Sequence, residues 1–156
     1  MSVGEICNRE VIITQRGTSA LEAAHLMREH HVGSLVVVES GQPPRPAGIV
    51  TDRDLVMEIL AKDCHPEAAV VDELMNPDLV TAREEEQTWA AIERMRAKGV
   101  RRIIVVNETD GLEGILTMDD LLEFLVEELS GLVKLVKREQ RLELETRPRQ
   151  GSPPRG

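Results

Sequence analysis

A chain that carries one pattern twice, in the same order and at nearly constant spacing, has few folds open to it. Displaced by 68 positions, Val3, Glu5, Asn8, Ala23, Met27, Arg28, Val32, Val37 and Val38 fall on Val71, Glu73, Asn76, Ala91, Met95, Arg96, Val100, Val105 and Val106. Past a loop two residues longer in the first copy the displacement becomes 66. Gly48, Ile49, Thr51, Asp54 and Leu55 then fall on Gly114, Ile115, Thr117, Asp120 and Leu121. An order-preserving match with one short gap is an internal repeat, one supersecondary unit built twice.

Each copy reads β-α-β-β-α. In the first, a short strand is predicted over 11–14. A helix opens at Ser19 in a capping-box pattern, with Leu21, Ala24 and Met27 at helical spacing. A β-branched strand follows over 33–39, then a Pro- and Gly-rich hairpin loop over 40–46, a returning strand over 47–50 and a second helix over 52–61. Residues 62–66 form a linker. The second copy repeats the order with a strand at 79–81, a helix near 87–98, a strand at 100–107, a turn at 109–111, a strand at 114–116 and a helix from Met118. The fold class is therefore α+β, two such repeats with an extended C-terminal helix. The division runs 1–66, 67–130, helix extension 131–146 and an unstructured Pro/Gly/Arg tail 147–156.

The most specific stretch is the strand-to-helix junction, Gly48-Ile49-Val50-Thr51-Asp52-Arg53-Asp54-Leu55 and Gly114-Ile115-Leu116-Thr117-Met118-Asp119-Asp120-Leu121. Free backbone N–H groups at a helix start favour an anion, and the Thr hydroxyl can join them. The Asp carboxylate can accept from a pair of sugar hydroxyls. Thr-x-x-Asp is equally an N-cap with an acid at the third helical position. The two readings are compatible, and both stay open at this point.

Composition narrows the partners. A formal charge of −9 opposes nucleic-acid and anionic-membrane surfaces. Phe124 and Trp89 are the only aromatic residues, so no stacking platform for single strands exists, and Trp89, matching Leu21, reads as core or helix packing. No apolar run is long enough to span a bilayer, and the first ten residues do not resemble a secretory signal. Cys7 and Cys64 make no disulfide framework, so a cytoplasmic location with reduced thiols is expected. No nucleophile, paired-cysteine or zinc-protease motif is present, so no catalytic residue and no metal site are assigned. Cys7 matches Met75 and reads as core. Glu84-Glu85-Glu86 reads as favourable charge before a helix start.

Leu122, Leu125, Leu129, Leu132 and Val136 alternate by three and four, a heptad seam running past the point where the first copy's helix stops. Two readings are open for it: packing back on its own domain, or self-association. Gly131 weakens the helix by up to ~1 kcal/mol.

These features together resemble a tandem pair of CBS domains (the cystathionine β-synthase domain), the unit called a Bateman module, over roughly residues 3–128. The two Gly-led Thr-x-x-Asp stretches carry the resemblance, supported by Val71-Asp72-Glu73-Leu74-Met75-Asn76-Pro77 and Val100-Arg101-Arg102-Ile103-Ile104-Val105-Val106. The resemblance implies two repeats about a pseudo-twofold axis, with two clefts that in many members bind AMP, ADP, ATP or S-adenosylmethionine. It also implies a homodimer and a regulatory, non-enzymatic role read by a partner. With no enzyme or transporter domain on this chain, that partner is expected to be a separate, unidentified protein. A ligand-independent dimerisation scaffold is the alternative.

Carried over by position, the first cleft is built on Thr51 (phosphate) and Asp54 (ribose), with Ser34, Arg101 and, for adenine, Val80. The second is built on Thr117 and Asp120 with Gly33, Arg102 and Ile12. Strand alternation sends Arg101 and Arg102 to different clefts, one guanidinium each; surface salt bridging is their other reading. Arg53 either adds a phosphate contact or pairs on the surface. Asp119 adds negative charge near the second cleft. Unequal affinities follow, without a ranking.

Overall fold

The computed structural model describes residues 1–147; the tail expected over 147–156 lies, Arg147 apart, outside them. The chain forms two units, one ending at Asp120 and one beginning at Leu121.

In the first unit each repeat contributes one three-stranded sheet. Strands β1 (Ile13–Gln15) and β2 (Ser34–Glu39) pair in parallel, joined by helix α2 (Ala20–His30). Strand β3 (Arg45–Thr51) returns antiparallel to β2. The second repeat copies this with β4 (Thr81–Arg83), α5 (Thr88–Lys98), β5 (Arg102–Val106) and β6 (Leu112–Thr117). The likeness reaches the irregularities, since the antiparallel ladder slips between Val37 and Val38 and, at the equivalent place, between Val105 and Val106.

Strand β2 is buried on both faces, which is why its sequence runs apolar without alternation. Leu35 and Val37 pack with Ala23, Met27 and Val50 of their own repeat. Val36 and Val38, on the opposite face, pack with Ile104 and Val106 of the other repeat. The two sheets thus share one core.

Two short lead-in helices, α1 (Val3–Ile6) and α4 (Val71–Leu74), cross between repeats. Val3 donates its N–H to the Glu86 carbonyl at 2.8 Å, and Val71 donates to Thr18 at 2.9 Å. Asn8 bridges Ile115, and Asn76 bridges Ile49. Each lead-in therefore lies on the sheet of the other repeat. At that crossing Gly48 faces the Met75 side chain, and Gly114 faces the Asn8 carbonyl and the Cys7 sulfur. A Cβ at either position would meet occupied space.

The crossing also corrects the expected helix face. The buried residues are Ala20, Ala23 and Met27 in α2 and Thr88, Ala91 and Met95 in α5. This is one residue earlier than the Leu21/Ala24 spacing predicted. Ala20 donates its N–H to Ala69, and Thr88 to Met1, so a lead-in strand passes against the first turn and only small side chains fit beneath it. Leu21 and Trp89 are rotated by about 100°. Trp89, expected in packing, is 67% exposed.

The helix predicted over 52–61 is α3 (Asp52–Leu55) continued by a wider π-helical turn, Val56–Leu60. Its counterpart α6 (Met118–Thr146) is a regular helix of 29 residues. Among the described residues no helix is long and apolar enough to cross a membrane.

Candidate functional site

Thr51 ends β3 and caps α3. Its N–H donates to Asp54 Oδ2 at 2.8 Å, and its Oγ1 accepts the Asp54 N–H at 3.2 Å. The second junction is built the same way, with Thr117 N–H to Asp120 Oδ2 at 2.8 Å and Asp120 N–H to Thr117 Oγ1 at 3.2 Å. There the Thr117 hydroxyl also donates to Asp120 Oδ2 at 2.6 Å. Both junctions are capping boxes, so the structural role of Thr-x-x-Asp is real. It leaves room for a second role. Among the described residues no hydrogen bond uses Asp54 Oδ1.

A cavity of about 590 Å³ opens beside the first junction. That size suits a nucleoside phosphate. Thr51, Arg53 and Asp54 form one wall. The other repeat supplies Leu79 and Val80 just before β4, and Arg101 and Arg102 at the start of β5. Five of the expected residues of the first site (Thr51, Arg53, Asp54, Val80 and Arg101) are thus brought together. Asn76, Asp78 and Leu79 also line the cavity and were not anticipated. Asn76 accepts the Asp78 N–H at 2.9 Å, the same turn that Asn8 forms with Glu10. The sequence signal for it was the repeat itself, since Asn76 matches Asn8.

Arg102 was expected with the Thr117/Asp120 cleft, but it lines the Thr51 cavity beside Arg101. The alternation argument fails because β5 begins at Arg102, leaving Arg101 outside the regular strand. Ser34, expected in the first cleft, is the ladder partner of Thr51 yet does not line the cavity; it is the repeat counterpart of Arg102. By repeat position Gly33 and Ser34 are the counterparts of Arg101 and Arg102. Gly33 accepts the Asp52 N–H at 3.0 Å, as Arg101 accepts that of Met118 at 2.8 Å. Ile12 accepts the Val36 N–H at 3.1 Å, as Val80 accepts that of Ile104 at 3.0 Å.

The charges around the first cavity are unspent. Arg9, Arg16, Arg83 and Arg94 are each held by carboxylates. Among the described residues no ion pair engages Arg53, Arg101 or Arg102. Surface salt bridging therefore does not account for them. In the acidic run before α5, Glu86 holds Arg94 at 2.7 Å and Glu84 holds Arg9 at 3.1 Å. Among the described residues no group of three or more His, Cys, Asp or Glu is placed to hold a metal ion.

Two β-α-β-β-α repeats with exchanged lead-ins thus form a cleft at a strand-to-helix junction. The sequence matches the CBS domain over residues 3–61 and 71–127, and the chain belongs to that family. It is 36% identical over 123 residues to an uncharacterized protein of Methanopyrus kandleri, covering 79% of this chain and 62% of that protein's length. It is 31% identical over 133 residues to hypoxic response protein 1 of Mycobacterium tuberculosis, covering 85% of this chain and 90% of that one. Among solved structures, the CBS domain protein of Pyrobaculum aerophilum complexed with AMP superposes with a TM-score of 0.69 at 24% identity, covering 78% of this chain and 90% of that one.

Proposed function

We propose that this chain is a regulatory sensor whose Thr51/Asp54 cleft holds an adenine nucleotide, its state being read by a separate protein. The observation that carries this reading is the set of three guanidiniums around one cavity, Arg53, Arg101 and Arg102, that pair with no carboxylate among the described residues. Guanidinium forks suit phosphate oxygens. Asp54 takes the ribose hydroxyls, Thr51 assists the phosphate, and Leu79 and Val80 offer an apolar edge to adenine. The AMP bound by the P. aerophilum relative is in keeping with this ligand class.

The second cleft, on Thr117 and Asp120 with Gly33, Ser34 and Ile12, has no arginine at the two equivalent positions, and Asp119 replaces Arg53. It is the weaker of the two for any phosphate. S-adenosylmethionine, which carries no phosphate, is the adenosyl ligand least hindered there.

Calorimetric titration with AMP, ADP, ATP and S-adenosylmethionine tests the proposal. Nucleotide binding lost in Asp54→Ala and kept in Asp120→Ala supports it. Nucleotide binding lost only in Asp120→Ala overturns the ranking of the clefts. A second reading, a scaffold with empty clefts, is favoured by the two capping boxes, which give both Thr/Asp pairs a structural role without ligand. Absence of heat with every ligand would establish that reading instead.

A further inference from the structure

The acidity of this chain stops at Val133. Up to that residue the sequence holds 12 Lys and Arg against 25 Asp and Glu; from Lys134 onward it holds seven against three. Four of the seven, Lys134, Lys137, Arg138 and Arg141, stand on α6 at steps of three, one and three. The helical turn keeps them within an arc of about 100°, and the helical rise spreads them over about 11 Å of the axis. They form one basic stripe. All four are exposed. With Leu142 they line a shallow groove of about 380 Å³.

The stripe lacks counter-charge of its own. Lys134 and Arg138 are four residues apart, as are Lys137 and Arg141, and like charges at that spacing repel. Lys134 with Lys137, and Arg138 with Arg141, repeat the conflict at a spacing of three. Of the three acids that follow Lys134, Glu139 and Glu143 are turned to the opposite side of the helix, with Leu132 and Val136. Glu145 falls near the basic side, yet among the described residues no ion pair joins any carboxylate to these four cations. Arg9, Arg16, Arg83 and Arg94 are by contrast each held by carboxylates. A row of mutually repelling cations is relieved by an anion supplied from outside the helix.

The surroundings select the class of anion. Asp119, Asp120, Glu123 and Glu127 precede the stripe on the same side of the same helix. A nucleic-acid backbone or an anionic bilayer extends well beyond 11 Å or so and would meet these carboxylates. A bilayer also requires the opposite side to be apolar, and Glu139 and Glu143 interrupt it there. A short acidic peptide has neither difficulty. Three or four extended residues, at about 3.3 Å each, cover the stripe. Their carboxylates suit both the two guanidinium forks and the two ammonium groups.

We propose that Lys134, Lys137, Arg138 and Arg141 form a docking surface for a short acidic segment of a different protein. The proposal concerns α6 alone and holds whether or not the Thr51/Asp54 cleft takes a nucleotide.

The test uses the full chain and a fluorescein-labelled oligoglutamate peptide, followed by fluorescence anisotropy at low salt. The peptide binds, and added salt weakens it. Arg138→Gln and Arg141→Gln in one chain weaken binding on the order of tenfold. Glutamine keeps the helix, which far-UV circular dichroism checks. Lys134→Arg with Lys137→Arg retains binding, because the charge is kept. Absence of binding, or binding that the paired glutamines leave unchanged, overturns the proposal. Binding lost instead in the triple variant Arg53→Gln, Arg101→Gln, Arg102→Gln would put the peptide in the cleft and overturn it too. Sedimentation with phosphatidylserine vesicles that the paired glutamines abolish would make a bilayer the occupant, and self-association that they abolish would make it a second copy; either result overturns the proposal.

Discussion

The crossing of the lead-in segments makes Gly48 and Gly114 unequal although they are repeat equivalents. A Cβ at Gly114 would lie 2.8 Å from the Asn8 carbonyl oxygen and 2.9 Å from Cys7 Sγ. That oxygen already accepts the Ile115 N–H at 2.9 Å, while Asn8 donates back to Ile115 at 2.8 Å. Making room means moving backbone and stretching this pair. Overpacking costs about 2 kcal/mol and a weakened hydrogen bond about 1, against about 0.5 kcal/mol gained from a stiffer unfolded chain. Gly114→Ala should therefore destabilise by about 2–3 kcal/mol. At Gly48 the nearest obstructing atoms are Met75 Sδ and Cγ, which can rotate away, with Met75 Cβ at 3.0 Å. Gly48→Ala should cost about 1 kcal/mol or less. Urea unfolding followed by far-UV circular dichroism, at one fixed protein concentration, measures both; the gap corresponds to about 1 M in midpoint. Met75→Ala should remove the penalty of Gly48→Ala, whereas Cys7→Ala should leave most of that of Gly114→Ala. Equal costs at the two glycines, or no cost at Gly114, would refute the exchanged packing.

Two further outcomes follow from the same crossing. Asp72 accepts the Gly17 N–H at 2.6 Å and faces Arg16 at 3.0 Å, and these hold its carboxyl below the usual aspartate range. A depressed folded-state value stabilises above the unfolded value and is lost as pH falls through the folded one. Asp72→Asn should thus cost about 1 kcal/mol at pH 7, the cost shrinking below about pH 4, as pH-dependent denaturation would record. Burial pushes the Cys7 thiol up, while Cys64 is exposed. A maleimide should therefore label Cys64 first and Cys7 at least about tenfold more slowly, read by mass spectrometry at pH 7.

The repeat made most of the fold legible. Element order, the two hairpins and both capping boxes follow from residues that match at displacements of 68 and 66. What escaped depends on contacts distant in sequence. Nothing in Ala20 or Thr88 announces that a lead-in from the other repeat will run over the first turn, so the buried face was misjudged by one residue and Trp89, read as core or helix packing, is exposed. The division of Arg101 and Arg102 between clefts assumed a strand that had already begun; β5 starts one residue later, and both arginines line one cavity. The helix read over 52–61 did not foresee the π-helical turn at Val56–Leu60, whose wider bonds run from Ala61 N–H to Val56 and from Cys64 N–H to Ile59.

The central claim concerns which cleft takes the nucleotide, and a crystal structure of the chain grown with AMP tests it most directly. The account predicts one AMP per chain, its phosphate within about 3 Å of Arg101 or Arg102 and its ribose on Asp54. AMP seated on Thr117 and Asp120, with the arginine-lined cavity empty, would contradict it.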